Sequence, residues 1–313
     1  MAIPSVDLGD FLSGDAGKKN NFVQCLGKAF EEVGFVAVKN HGISNDLIID
    51  LYKYVQQFFS LPLEQKRNYE IKGLAGQRGY TSFGKEHAKG SDAPDLKNFF
   101  QYSQRARDNF SEEIYPYNIS VKEIIPFDKT FDNAYRAFEK LGTALLQAIA
   151  LYFGLKEKYF DDFVFNGNSI LRPIHYPPIT IKPATVISAE QYEDINLITL
   201  VVGASADGLE ILSKQDEWVS VTSLPDQIVV NVGDMLQRLT NNKLCSTTHR
   251  VVNPPQQFWH TSRFSIPYFL MQKISMNLRC LDNCSDSMYS KLYDDITAGE
   301  YLDERPREIG LKV

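Results

Sequence analysis

The chain has 313 residues, of which 43% are hydrophobic and 23% are charged, so it is long enough for one large domain or two small ones. A net charge of −6 argues against nucleic acid or an anionic membrane as a partner, because both attract basic surfaces. No apolar run approaches the ~18 residues that span a bilayer. The N-terminus lacks the basic start and apolar block of a signal peptide, so we expect none.

Four cysteines are scattered along the chain: Cys25, Cys245, Cys280 and Cys284. Only the last two lie close in sequence. Without a second pair they make a poor zinc signature and a weak case for a disulfide. We therefore expect free thiols and a cytoplasmic protein.

Helical patterns dominate the first half of the chain. Apolar residues recur at helical spacing from 21 to 33, and "GFVAVKNHGI" (34–43) is typical of a buried strand closed by a turn. Asn45 is the predicted N-cap of a helix that runs to about Ser60. The glycine-rich stretch 73–95 predicts an ordered loop. A long helix is predicted from about 130 to 153, with Gly154 as its C-cap.

Beyond residue 166 the pattern changes to short β segments divided by turn residues. The predicted strands are 168–176, 196–202, 208–212, 217–222, 227–232, 246–252 and 263–270. Strands at this density, without helices between them, indicate a sandwich or barrel and not a parallel α/β sheet. A final helix is predicted at Ser287–Ile296.

The predicted fold class is therefore mostly β with α, a double-stranded β-helix (jelly roll) flanked by helices and by an N-terminal helical region. We expect a mixed α/β N-terminal domain at 1–120. The second domain, 121–313, would hold the long helix, the jelly roll and the C-terminal helix.

Polar residues of the β half point to one mouth of the predicted jelly roll. Asp194 opens the strand at 196–202, and His249 lies in "STTHRVVNPP"; a carboxylate and an imidazole from separate strands can bind a divalent metal such as iron. Arg263 and Ser265 alternate in "RFSIPYF", so they share a strand face, and Tyr176 ends "SILRPIHYPP". An arginine beside a hydroxyl and a phenol can hold a carboxylate.

Several segments together resemble a known family. "GFVAVKNHGI", "GYTSFGKEHAKGSDAPDLKNFF", "HYPP", "EDINLITLVVG", "GLEIL", "STTHRVVNPP", "RFSIPYF" and "TAGEYLDERPREIGL" occur in the order and spacing of one family. The chain resembles the iron(II)- and 2-oxoglutarate-dependent oxygenases, in the branch that includes isopenicillin N synthase and the plant-hormone oxidases. The ordered set covers nearly the whole chain.

The resemblance implies roles for these residues. Asp194 and His249 match the acid and the distal histidine of the metal triad. Arg263 and Ser265 match the pair that holds the far carboxylate of 2-oxoglutarate, and Tyr176 matches a phenol that assists it. The resemblance also implies Fe(II), 2-oxoglutarate as cosubstrate, O2, and a small organic substrate. This chain has no histidine at the position that matches the first histidine of the triad.

Tyr192 stands where that histidine is expected, and several interpretations are open. Tyr192 could ligate as a phenolate, because a bound cation favours the deprotonated ligand, and an anionic oxygen would then favour Fe(III). It could stay neutral and point away, which leaves Asp194 and His249 on a weaker site. The site could hold no metal. A deliberate substitution at this position is a fourth explanation.

Two functions therefore compete. The first is an oxygenase that oxidises a small organic molecule; the second is an impaired or inactive relative that binds 2-oxoglutarate or a similar carboxylate without redox turnover. Possible substrate contacts are His87, Phe100 and Phe269. The other histidines have structural explanations: a turn hydrogen bond for His41, the opposite sheet face for His175, and a solvated loop for His260. The sequence leaves the oligomeric state open.

Overall fold

The computed structural model describes residues 3–74, 77–85, 97–104, 116–180, 187–202, 208–221, 224, 226–285 and 290–308. The helices are α1 (Leu8–Leu12), α2 (Ala16–Glu32), α3 (Asn45–Ser60), α4 (Leu63–Arg67), α5 (Phe127–Tyr152), α6 (Asp161–Val164), α7 (Asp234–Leu239) and α8 (Ala298–Glu308). The first strands are β1 (Ser5–Asp7), β2 (Phe35–Lys39), β3 (Gly79–Thr81), β4 (Asn98–Ser103), β5 (Ile170–Leu171), β6 (Ile174–Tyr176) and β7 (Ile187–Tyr192). The remaining strands are β8 (Ile198–Val202), β9 (Leu209–Leu212), β10 (Trp218–Ser220), β11 (Ile228–Val232), β12 (His249–Val252), β13 (Arg263–Ser265) and β14 (Pro267–Leu270).

Within the described ranges these strands form a large sheet and a small one. The large sheet has the order β1-β2-β11-β8-β14-β5-β4-β6-β13, with β3 beside β4, and the small sheet has the order β10-β9-β12-β7. Apart from the parallel β1–β2 pair, the strand pairs are antiparallel. The predicted mostly-β jelly roll with flanking helices is confirmed.

The two faces of the large sheet bury different side chains, because successive residues of a strand point to opposite faces. One face packs against the helices: Tyr268 of β14, for example, stacks on Phe138 of α5 at 5.6 Å between ring centroids. The other face meets the small sheet, where Phe35 and Val229 pack with Ile211. We call this second face the interior face.

Strands from the N-terminal segment are part of the same large sheet. β2 pairs with β11, and β4 lies between β5 and β6. The boundary at residue 120 stays a prediction, but the hydrogen-bonded sheet crosses it.

Capping residues mark where several helices begin and end. The Asp15 side chain accepts from the backbone N–H of Lys18 and caps α2. The cap of α3 is Ser44, whose Oγ accepts from the Leu47 N–H, so the prediction of Asn45 as the cap was one residue late. Gly154 follows α5 with φ of +69°, as expected for a left-handed residue at a helix end.

The predicted helix at 287–296 is wrong over the residues that can be described there. Residues 290–297 are not helical, and the Asn241 side chain bonds the Ser290 carbonyl and the Leu292 N–H. The last helix starts later because Thr297 and Glu300 form a reciprocal capping box. None of the helices in the described ranges combines the length and apolar character needed to cross a bilayer.

Candidate metal centre and carboxylate clamp

Asp194 lies in the connection between β7 and β8, so it precedes its strand and does not open it. The residue is 6% exposed. Its Oδ2 accepts hydrogen bonds from Thr199 Oγ1 at 2.6 Å and from Asn231 Nδ2 at 2.8 Å. Two strands of the large sheet, β8 and β11, therefore hold this carboxylate in place, and both bonds go to the same oxygen.

His249 is the first residue of β12 in the small sheet and is 4% exposed. Its Nδ1 lies 3.0 Å from the Thr247 carbonyl oxygen, which can only accept, so Nδ1 carries the proton in a neutral ring. Nε2 is then the acceptor nitrogen. It lies 3.8 Å from Asp194 Oδ2.

This pair fits a transition-metal ion. Ligand distances of about 2.0–2.2 Å put two ligands of one ion roughly 3–4 Å apart, which includes the 3.8 Å observed. Hydrogen bonds behind both groups are the usual support of metal ligands. No group of three or more His, Cys, Asp or Glu side chains suited to a metal occurs in the described part of the chain. Among the described residues, a complete protein triad would therefore need another residue type.

Tyr192 is the residue next to this pair. It ends β7 and pairs directly with His249 of β12. The two rings are 4.4 Å apart between centroids and tilted by 58°, and Tyr192 is 36% exposed. Directly opposed residues of an antiparallel pair share a face. The tyrosine ring is thus against His249 at the rim of the interior.

The predicted clamp residues also come together. Arg263 of β13 pairs with Tyr176 of β6, and its guanidinium carbon lies 4.3 Å from the centroid of the Tyr176 ring. Ser265 pairs with Ile174 two residues further on. Gly208 leaves room for the guanidinium, because a Cβ there would lie 2.7 Å from the Arg263 Nη1.

A small apolar cluster connects the clamp to the histidine. Val251, two residues after His249 on β12, packs against Phe99, Ile174 and Tyr176. The space between the interior face of the large sheet and the small sheet therefore holds both the Asp194–His249 pair and the clamp.

The three predicted substrate contacts have different outcomes in the structure. Phe100 is 1% exposed on the helix side, where its ring packs against Phe58 and Phe127, so it is not placed for an interior substrate. Its neighbour Phe99 is on the interior face. Phe269 pairs with Thr199 and so remains a candidate. His87 lies outside the described residues.

The remaining histidines have the contacts expected of structural residues. The Ile43 N–H donates to His41 Nδ1 at 3.2 Å. His175 stacks on Phe264 on the helix side, away from the clamp, and His260 is exposed. The four cysteines are free thiols, as predicted.

Sequence reasoning missed Thr199 and Asn231, the two residues that hold Asp194. Each is a polar residue inside an otherwise apolar strand, "ITLVV" and "IVVNV". A buried polar side chain needs a partner, so an isolated polar residue in such a strand is a usable signal.

Comparison with known proteins agrees with this geometry. Residues 3–123 match the family model "non-haem dioxygenase in morphine synthesis N-terminal", and residues 167–272 match "2OG-Fe(II) oxygenase superfamily". The chain is 31% identical to proline hydroxylase buaE of Petromyces alliaceus, over 97% of this chain and 98% of that protein. The chain belongs to the 2OG-Fe(II) oxygenase superfamily. Members of this superfamily use Fe(II) and 2-oxoglutarate, so the chain is a dioxygenase by family.

Solved structures of the superfamily share the whole fold. A putative 2OG-Fe(II) oxygenase family protein from Caulobacter crescentus has a TM-score of 0.88 and 37% identity, over 98% of both chains. A full-length Neurospora crassa protein, solved in complex with alpha-KG (another name for 2-oxoglutarate), has a TM-score of 0.86 and 29% identity, over 97% of this chain and 95% of that one.

Proposed function

We propose that this chain is a 2-oxoglutarate-dependent oxygenase whose iron is held by Asp194 and His249, with Tyr192 at the third protein position. The observation that carries the proposal is the 3.8 Å approach of His249 Nε2 to Asp194 Oδ2. The hydrogen bond of Nδ1 to the Thr247 carbonyl supports it, because that bond leaves Nε2 to act as a ligand. When bound, the iron supplies O2 activation, which couples substrate oxidation to conversion of 2-oxoglutarate into succinate and CO2.

In this proposal the clamp anchors 2-oxoglutarate. The Arg263 guanidinium offers paired N–H donors to a carboxylate, and such charge-assisted bonds are stronger than neutral ones. Stacking on Tyr176 orients the guanidinium, and Gly208 leaves the space that it occupies. Ser265, on the same strand, adds a hydroxyl.

Tyr192 distinguishes this chain from the family pattern that the sequence resembles. Its ring lies against His249, which favours a tyrosine in contact with the metal position over one that points away. Lys97 Nζ lies 6.0 Å from the Tyr192 ring centroid, a cation–π contact that helps to hold the ring in this position. We therefore propose phenolate ligation.

We propose a small organic molecule as substrate. Relatives point to that size class: one is named a proline hydroxylase, and a structure of the Neurospora crassa protein contains alpha-KG and thymine. The second candidate function is binding of 2-oxoglutarate or a similar carboxylate without turnover. The observation that favours it is the tyrosine beside His249, together with an assembled clamp.

The test uses the wild-type protein with Tyr192→Phe and Tyr192→His. Each is incubated with iron in air, and bound iron, visible absorption and 2-oxoglutarate-dependent succinate formation are measured. Phenolate ligation predicts a coloured charge-transfer band in the wild type that Tyr192→Phe abolishes. Tyr192→His, which restores the missing imidazole, should bind Fe(II) more tightly and form more succinate.

Tyr192→Phe is the matched control, because it keeps the ring against His249 and removes only the hydroxyl. A wild type without iron or turnover, but with 2-oxoglutarate bound, would support the binding function. If Tyr192→His also fails to bind iron and to consume 2-oxoglutarate, the assignment of this metal centre is wrong.

A further inference from the structure

Three polar residues lie on the interior face beside the clamp and are not used by the proposed chemistry. Thr81 of β3 pairs with Phe99 of β4. Gln101, two residues along β4, points to the same side as Phe99. Arg172 follows β5, and the register from Tyr102↔Leu171 to Phe99↔Ile174 puts it opposite Gln101. We call Thr81, Gln101 and Arg172 the polar row.

Two members of the row are buried with unsatisfied atoms. Thr81 is 5% exposed and Gln101 is 9% exposed. Within the part of the chain that the structure describes, Thr81 Oγ1 and Gln101 Oε1 have no hydrogen-bond partner. Buried polar atoms are nearly always paired, so two unpaired atoms on one face of one sheet are acceptors that a bound molecule can complete.

Arg172 adds a positive charge to the same face. Its guanidinium carbon lies 3.6 Å from the centroid of Phe99, the ring that belongs to the interior cluster with Tyr176. Arg263 stacks on a different ring of that cluster, Tyr176. The two arginines are therefore held on separate rings, Arg172 on Phe99 and Arg263 on Tyr176.

The row lies on the same face of the large sheet as the residues that hold the metal pair. Ile170, Phe269 and Thr199 are paired across β5, β14 and β8, and Thr199 bonds Asp194. Arg172 is two residues from Ile170, or about 7 Å along the strand. A molecule bound by the row would therefore lie on the same sheet face as Thr199, the residue that bonds Asp194.

We propose that the polar row recognises the primary substrate, and that this substrate is a small carboxylate with a neighbouring N–H or O–H group. Arg172 pairs with the carboxylate, while Gln101 Oε1 and Thr81 Oγ1 accept from the neighbouring donor. Phe99 holds the guanidinium in position by stacking. The inference rests on the proposed function, because it deepens the use of the same interior.

The experiment measures binding to wild-type protein saturated with 2-oxoglutarate. The probes are L-proline, L-pipecolate and L-lactate, each compared with its primary amide by calorimetry, and uracil as a neutral carbonyl compound with N–H groups. At least one carboxylate should bind at least about tenfold more tightly than its amide, in keeping with a charge-assisted bond. Arg172→Gln should abolish that preference and leave the Kd for 2-oxoglutarate unchanged. Gln101→Leu and Thr81→Val should each weaken the preferred probe about tenfold.

Arg238→Gln is the matched control, since it removes an arginine that also stacks on an aromatic ring, Tyr293, but lies on α7. It should leave the carboxylate preference intact. Carboxylates that bind no better than their amides, or a preference that survives in Arg172→Gln, would overturn the proposal. If uracil is the only probe that binds, and Arg172→Gln abolishes its binding, the substrate is not a carboxylate and the proposed substrate class is wrong.

Failure of the proposed function has a different signature. It would appear as absence of iron-dependent succinate formation by the wild type; failure of the clamp itself would appear as absence of 2-oxoglutarate binding, or as binding that Arg263→Gln leaves unchanged. The same probes, titrated without 2-oxoglutarate, then test binding by the polar row independently of the clamp.

Discussion

His175 illustrates how neighbours set the properties of a single residue. Its ring stacks on Phe264 and contacts Phe59, and its nitrogens lie 3.2 Å from Asn98 Oδ1 and 2.9 Å from Ser262 Oγ. Burial lowers the pKa of His175 to about 4, and the positive charge of Lys66 acts in the same direction. The histidine is therefore neutral in the folded protein well below its ordinary pKa of 6.5.

This shift predicts a loss of stability in acid. Between about pH 6.5 and about pH 4 the unfolded state binds a proton at His175 that the folded state does not. The free energy of unfolding should fall as the pH falls through that window, and the contribution should be complete above it. His175→Gln should lose less stability than the wild type between about pH 7 and about pH 4.5 in urea unfolding. Parallel curves for the two proteins would contradict the assignment.

The roles of Thr199 and Asn231 follow from strand pairing and not from a sequence motif. The predicted metal residues could be recognised because their spacing resembles that of a known family. The role of Thr199 and Asn231 can be recognised only when β8 and β11 are known to be neighbours. Register puts Thr199 directly opposite Asn231, and both side chains then reach Asp194 Oδ2.

Among the elements, the turn between α2 and β2 depends on Gly34. Its φ is +74°, a region that costs an L-residue about 1–2 kcal/mol. A Cβ at Gly34 would also collide with the Cys245 carbonyl oxygen and the Thr247 side chain. This close approach allows the segment before β12, and so His249, to pack against β2.

Gly34→Ala should therefore destabilise the protein by more than the backbone strain alone. Gly14→Ala is the matched control, because Gly14 has φ of +78° but nothing within 4 Å of the added Cβ. We expect Gly14→Ala to cost about 1 kcal/mol and Gly34→Ala clearly more, measured by chemical unfolding. Equal losses would show that the contact with residues 245–247 relaxes freely.

Across the molecule as a whole, the large sheet joins the two segments that the sequence divides at residue 120. β2 covers the edge of β11, and β4 connects β5 to β6. An unpaired edge and a missing central strand leave hydrogen-bonding groups and apolar surface exposed.

A chain of residues 121–313 should therefore not fold alone. We expect weak near-ultraviolet circular dichroism and no cooperative thermal transition, in contrast to one sharp transition for the full chain. Cooperative unfolding of the fragment would instead support a domain boundary at residue 120.

Patterns along the chain were enough to predict the fold class and the family. Periodicity separates the helical half from the β half, and the ordered motifs identify the superfamily, because both signals are local in the chain. The sequence also predicted Asp194, His249, Arg263, Ser265 and Tyr176 as a group, which the structure brings to one interior. Their functional roles stay predictions.

Which side chains share that interior depended on how the strands pair. Phe99 and Phe100 are adjacent and chemically identical, yet pairing of β4 with β6 turns one toward the clamp and the other into the helical core. The polar row likewise exists only through register across three strands, and Tyr192 contacts His249 because β7 pairs with β12. Such contacts join residues far apart in sequence, so no local pattern encodes them.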